Sequence, residues 1–183
     1  MLDPNDAVLM LINANQGQID GRTTIQKLMY FAQLLAPFSR KLEFRPHYYG
    51  PYSAELDQLL YSLVSLRFVR SESVLTSRQR MMYSYSLAED GRAVATRLMR
   101  RKGSEKILEV LRTCKSVTGL NPDVLSYAAK AHHILSQRKT GYTESEAIAQ
   151  GRKFGWRLTE AQVRSGVKVL LDLGLAARRK PGK

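Results

Sequence analysis

The chain has 183 residues, 44% of them apolar and 25% charged, a composition that fits an ordinary soluble globular protein and argues against a collagenous or disordered one. Its 29 basic and 16 acidic side chains leave a net charge of +13, which favours a polyanionic partner, nucleic acid being the commonest. The single cysteine, Cys114, excludes an intramolecular disulfide and a multi-cysteine zinc site.

No apolar run approaches the roughly 18 residues of a membrane span, so no membrane partner is expected. The N-terminal MLDPND is acidic where a signal peptide would be basic, and a cytoplasmic location is expected. Asp3 before Pro4 starts a first helix, with the aspartate as cap and proline at the first helical position, and Val8, Leu9, Leu11 and Ile12 form its apolar side. It ends by Gln16-Gly17. The two glycines of GQIDGRT break the chain, and Thr23 with Gln26 matches a capping box for a second helix, whose stripe of Ile25, Leu28, Met29, Ala32 and Leu35 stops at Ala36-Pro37.

Lys41 to Tyr49 is rich in Phe and Tyr and reads as a short strand broken at Pro46. After the Gly50-Pro51 turn, Ser53 can cap a third helix, and Leu56, Leu59, Leu60, Leu63 and Val64 form one stripe along it. Two β-prone runs, Arg67 to Thr76 and Met81 to Leu87, flank Ser77-Arg78-Gln79-Arg80 and predict a hairpin with Arg78 and Arg80 at its tip. A leucine-striped helix leading into a basic-tipped hairpin is the order of a winged helix. About sixteen residues separate the second and third helices, however, far more than the 3–4 of a plain helix-turn-helix, so the unit is a variant.

Ala88 to Lys102 reads as a helix despite Gly91, and Gly103-Ser104 as a junction. Four helices follow: Glu105 to Cys114, Pro122 to Gln137 capped by Asn121, Glu144 to Lys153, and Glu160 to Leu173 ended by Gly174. Thr143 with Glu146 and Thr159 with Gln162 supply capping boxes for the last two, and Leu175 to Arg178 could add a strand. The expected fold is α+β and mainly α. A winged-helix-like domain with a hairpin wing covers residues 1–103, and a helical, winged-helix-like domain with a basic tail covers 104–183. The first carries a net charge of +5 and the smaller second +8.

Catalytic chemistry finds little support. His47, His132 and His133 have no partners at metal-ligand spacing, Cys114 ends an apolar helical pattern, and neither GxGxxG nor GxxxxGK[ST] occurs. No enzyme activity, metal or cofactor is expected. For DNA, the third helix exposes Glu55, Asp57, Gln58 and Tyr61, a poor phosphate surface. The last helix is the better one: Gln162, Arg164 and Lys168 would read base edges, and Arg78, Arg80, Arg152, Lys153, Arg157 and Arg178 would hold phosphates. The cluster Arg45, His47, Tyr48, Tyr49 and Tyr52 has two readings, a surface for stacking on nucleic acid or peptide and a structural lock between strand and third helix.

GRTTIQKLMYFAQLL, then HYYGPYSAELDQLLYSLVSLRFV, resembles the YwgA-like family of uncharacterised bacterial and archaeal proteins, often described as predicted winged-helix regulators. Gly21, Arg22, Thr23, Lys27, Leu28, Tyr30, His47, Tyr49, Gly50, Pro51, Tyr52 and Ser53 carry the likeness, and AAKAHHILSQRK with GWRLTEAQVRSGVKVLLDLGL extends it. A more distant similarity to the Panacea antitoxin domain rests on Lys27, Leu28, Tyr30, Gly50 and Pro51. Neither transfers a catalytic residue. The expectation is a duplex-DNA-binding transcriptional regulator. The alternatives are a protein-interaction module, antitoxin-like or an assembly adaptor, and an RNA or ribonucleoprotein binder. Palindromic sites are met by dimers, which makes a homodimer compatible with this reading, although no coiled-coil pattern specifies one.

Overall fold

The computed structural model describes residues 1–75, 81–138 and 140–177. Asp3 caps α1 (Pro4–Ala14), its Oδ1 accepting the Asn5 N–H at 2.8 Å. Every residue of α1 from Ala7 to Ile12 is buried, which is the pattern of a helix at the centre of a fold. Packed around it are α2 (Arg22–Leu35), α4 (Glu89–Leu98) and α5 (Ser104–Thr118).

A three-stranded antiparallel sheet lies beside them in the order β1-β3-β2, formed by β1 (Gln18–Asp20), β2 (Val69–Leu75) and β3 (Met81–Leu87). Ile19 faces Tyr85, and Val69 faces Leu87. The predicted hairpin is present on either side of 76–80, which lie outside the described residues, Arg78 and Arg80 among them. β1 is a strand where the sequence suggests only a break. The two flanking glycines extend its pairing: Leu87 N–H donates to Gly17 O at 2.9 Å, and Gly21 N–H to Tyr83 O at 2.7 Å.

Ser53 caps α3 (Ala54–Ser65) as expected, its Oγ accepting the Leu56 N–H at 3.2 Å. The Thr23–Gln26 capping box does not form. Gly21 is the cap of α2, without a side-chain bond, and Gln26 is engaged elsewhere. The expected strand over 41–49 is also absent. Pro46 lacks an N–H, and the chain turns back on itself. Arg45 and Tyr52 exchange both backbone hydrogen bonds at 2.9 Å, and His47 pairs with Gly50 inside them, closing a small loop.

The C-terminal half contributes α5, α6 (Pro122–Leu135), α7 (Glu144–Lys153) and α8 (Glu160–Asp172). Both predicted capping boxes are made, by Thr143 with Glu146 and by Thr159 with Gln162. α8 crosses α6 so closely that a Cβ on Gly166 would lie 2.6 Å from Tyr127 O. The strand suggested at 175–178 does not form over Leu175–Ala177, and Arg178 is outside the described residues. The N–H groups of Leu175 and Ala176 both turn back to Leu170 O, at 2.8 and 3.2 Å, and close the end of α8 instead.

The protein is thus α+β and mainly helical, with eight helices among the described residues. Across residue 103, where the sequence places a junction, the buried cluster is continuous: Leu11, Leu28 and Leu98 belong to it together with Ile107, Leu125 and Leu170. A smaller cluster of Ile134, Ala147, Trp156, Leu158 and Val163 seats α7. Among the described residues no helix is long and apolar enough to cross a membrane.

Candidate functional site

The closed loop 45–53 is where distant parts of the chain converge. Three residues of α2 support it, Gln26 and Lys27 directly from its buried face and Arg22 from its exposed first turn by way of Asp57. Gln26 is buried and clamps the Ser53 backbone, its Nε2 donating to Ser53 O at 2.9 Å and its Oε1 accepting the Ser53 N–H at 3.0 Å. Lys27, 1% exposed, donates from Nζ to Pro51 O at 2.7 Å. Arg22 reaches Asp57 of α3 at 3.1 Å, and the same carboxylate oxygen accepts the Tyr52 hydroxyl at 2.7 Å. From the other side, Trp156 Nε1 donates to His47 O at 2.7 Å.

The loop's own residues divide accordingly. His47 lies tilted against Tyr52 with ring centroids 5.1 Å apart, and Gly50 takes φ +88, a conformation that favours glycine. These belong to the lock. Tyr48 and Tyr49 do not. They are 74% and 45% exposed and touch each other edge to face. Arg45 is fully exposed at the loop entrance, paired with Glu43 at 2.8 Å.

Burial sets the electrostatics beneath the loop. With no ion pair to a carboxylate among the described residues, the Lys27 ammonium is held down to a pKa of about 7, first by desolvation and then by the neighbouring Lys130 charge. Desolvation lowers Lys130 as well, against a smaller pull from Asp123. Tyr30 of α2 and His132 of α6 are joined at 2.7 Å, Oη to Nδ1. Burial depresses the imidazole and pushes the phenol above its ordinary range, so both are neutral near pH 7. The Cys114 thiol, buried in the core, is pushed up to about 12 by desolvation, opposite to what a nucleophile requires.

Between this loop, α6 and the link from α7 to α8 lies a cleft of about 420 Å³, lined among others by Tyr48, Tyr49, Tyr127, Lys130, Trp156 and Arg157. Lys130 Nζ stands 5.7 Å above the Trp156 ring. A second cleft, of about 430 Å³, runs between α6, α7 and α8 and is mainly apolar, with Arg164 and Lys168 in its wall.

The predicted nucleic-acid contacts fall into three groups. Arg152, Lys153 and Arg157 are all exposed and close in sequence, at the last turn of α7 and in the following link. On α8, Gln162 is occupied twice. Its Oε1 accepts the Thr159 N–H at 3.0 Å in the capping box, and its Nε2 donates to Tyr127 Oη at 3.0 Å. Arg164 is exposed but bridges Glu144 at 2.8 Å and Glu160 at 3.5 Å, while Lys168 is exposed without an ion pair among the described residues. The third group, Arg78, Arg80 and Arg178, lies outside the described residues.

Lys130 and Tyr127 escaped the sequence reading. A lysine amid Ala128, Ala129 and Ala131 on an apolar helix was the available signal, since such a residue needs somewhere to put its charge. Among the described residues no group of three His, Cys, Asp or Glu side chains could hold a metal ion.

Over 88 residues the chain is 39% identical to YwgA of Bacillus subtilis (strain 168), itself an uncharacterised protein. The matched stretch covers 48% of this chain and 51% of that protein, so the chain spans about half the length of the curated relative it matches. That similarity fits the YwgA-like resemblance of the sequence and carries no function with it. No protein-family model matches the chain.

Proposed function

We propose that the protein binds nucleic acid, as a winged-helix-like, duplex-DNA-binding protein acting in transcriptional regulation. The observation that supports this best is the element order α1-β1-α2-α3-β2-β3 with strands ordered β1-β3-β2, the arrangement of a winged helix, in a chain of net charge +13. The exposed part of α3, with Glu55, Gln58, Tyr61 and Ser62, carries no cation. Phosphate contact therefore falls to Arg152, Lys153 and Arg157, joined by Arg78, Arg80 and Arg178. Base reading falls to Arg164 and Lys168. The Arg164 ion pairs are exposed, so opening them for a base edge costs little. Gln162 serves α8 rather than DNA in this scheme.

The test is a titration of labelled duplex DNA, single-stranded DNA and duplex RNA over a salt series, followed by anisotropy. Duplex-DNA affinity that falls steeply with salt is expected, because each neutralised phosphate releases counterions. Absent or salt-independent binding to all three would overturn the proposal.

A protein-interaction role is the second reading, favoured by one observation. Tyr61, Leu66, Leu75, Met81 and Tyr83 on α3 and the hairpin are large apolar side chains left exposed, and Tyr61 and Tyr83 line one cleft with Arg22 and Asp57.

A further inference from the structure

The cleft between the 47–51 loop and α6 combines Tyr48, Tyr49, Tyr127 and Lys130, which the duplex reading does not use, with Arg157, which it does. Its walls are fixed. Trp156 is tied to His47 O, Tyr127 to Gln162, and the Lys130 stem packs against Gly50, where an added Cβ would lie 3.1 Å from Lys130 Cγ. Into this braced space come two cations, Lys130 and Arg157, neither with an ion pair among the described residues. Behind Lys130 stands the buried Lys27, whose Nζ makes its hydrogen bond to the Pro51 carbonyl, which carries no charge to offset it.

At the mouth, Tyr48 and Tyr49 hold their rings out of the core, although Gly50, Pro51 and Ser53 beside them are buried. Exposed tyrosines beside a concave, cationic site offer faces for a planar ring. The one acid in the lining, Asp123, sits at the start of α6. It is seven residues from Lys130, or about 10 Å along the helix at 1.5 Å per residue. The anionic end of a ligand thus belongs near Lys130 and Arg157, and hydrogen-bond donors belong near Asp123.

We propose that this cleft takes one unpaired nucleotide, with its phosphate at Lys130 and Arg157, its base against Tyr48 and Tyr49, and its sugar hydroxyls or exocyclic amine toward Asp123. A volume of about 420 Å³ falls in the range of small-molecule sites. A base within a duplex has both faces covered, so the ligand is a free nucleotide or a nucleotide of a single strand. The inference rests on the nucleic-acid reading for its ligand class, and the site shares Arg157 with the proposed phosphate face, whereas Arg152 and Lys153 are not in its lining.

Trp156 is the protein's one tryptophan and forms part of the cleft wall, so its fluorescence reports occupation. The full chain is titrated with adenosine monophosphate, oligo-dT, oligo-rU and a closed duplex hairpin. Expected is saturable quenching by at least one unpaired ligand, weakened about tenfold in Tyr48→Ala and in Lys130→Gln and retained in Tyr48→Phe, in line with stacking losses of that size. Saturation by the monophosphate identifies a free nucleotide as sufficient. Saturation by the strands alone identifies the polymer, and the dT–rU difference tells DNA from RNA. No response to any unpaired ligand, or a response unchanged in both variants, overturns the proposal. The duplex arm separates this failure from that of the proposed function, since duplex binding unaffected by Tyr48→Ala leaves the DNA reading standing.

Discussion

Gln26 and Ser53 are joined as if the side chain were a neighbouring β-strand: the Gln26 amide donates to Ser53 O at 2.9 Å and accepts the Ser53 N–H at 3.0 Å, both residues being fully buried. These two backbone groups precede the first turn of α3 and have no other partner of equal quality. Gln26→Leu leaves the Ser53 N–H unsatisfied and Ser53 O with only the Asp57 N–H at 3.3 Å, and is expected to cost about 1–3 kcal/mol in urea unfolding. Thr23→Ala, in the same helix turn, should stay within about 0.5 kcal/mol. A loss at Thr23 as large as a missing cap would mean that the local capping box forms in solution after all.

Lys27 gives the fold a dependence on pH. Its pKa is about 7 in the folded protein against 10.5 in the unfolded chain. Between those values the unfolded state binds more protons, so stability rises with pH across that window. Below it both states are charged, and the full cost of burying the ammonium is present. Lys27→Met keeps an unbranched chain one atom shorter and has no proton to lose. The stability of the natural protein relative to Lys27→Met should therefore grow from about pH 6 to about pH 9, measured by urea unfolding at each. A constant difference would show that Lys27 does not titrate in this range.

The parts of the fold legible in the sequence are those set by neighbours a turn apart. Ser53 before the leucine stripe, Thr143 with Glu146 and Thr159 with Gln162 all act within three residues, and each cap stands where the pattern places it. β1 was hidden because its three residues gain their strand character only from β3, more than sixty residues further on. Gln26 was misread for a related reason. The capping-box pattern is local, but the partner it actually takes is 27 residues away. The candidate cleft was half visible: the polar aromatics of 47–52 stood out, whereas Trp156 reaches His47 across 109 residues and Lys130 sits in an alanine-rich helix. Residue types announced the loop, and only the structure separated His47, held through its backbone by Trp156 and Gly50, and the half-buried Tyr52 from Tyr48 and Tyr49.

The phosphate face is testable apart from the cleft. Lys153 is exposed at the end of α7 and has no ion pair among the described residues. Lys153→Ala should weaken binding to every duplex alike and reduce the salt slope by about one. Arg164→Ala should instead narrow the gap between preferred and random duplexes, with little change in the slope, as for a residue that reads a base edge. Anisotropy over a salt series measures both. Binding unchanged in both variants would move the contact away from α7 and α8, toward the hairpin.

Gly50 combines two constraints that can be separated. Its φ of +88 is costly for any residue with a Cβ, and an added Cβ would also press on Lys130 Cγ at 3.1 Å and Ser126 O at 3.4 Å. Gly50→Ala is expected to lose about 1–3 kcal/mol, since both the backbone term and the contact oppose it. Removing the Lys130 stem relieves only the contact. In a Lys130→Ala background the cost of Gly50→Ala should fall by about 0.5 kcal/mol or more, the coupling typical of residues in contact. An equal cost in both backgrounds would assign the penalty to the Gly50 conformation and the Ser126 O contact, with none left for Lys130. The position of Lys130 over Trp156 would then owe nothing to the missing side chain at Gly50.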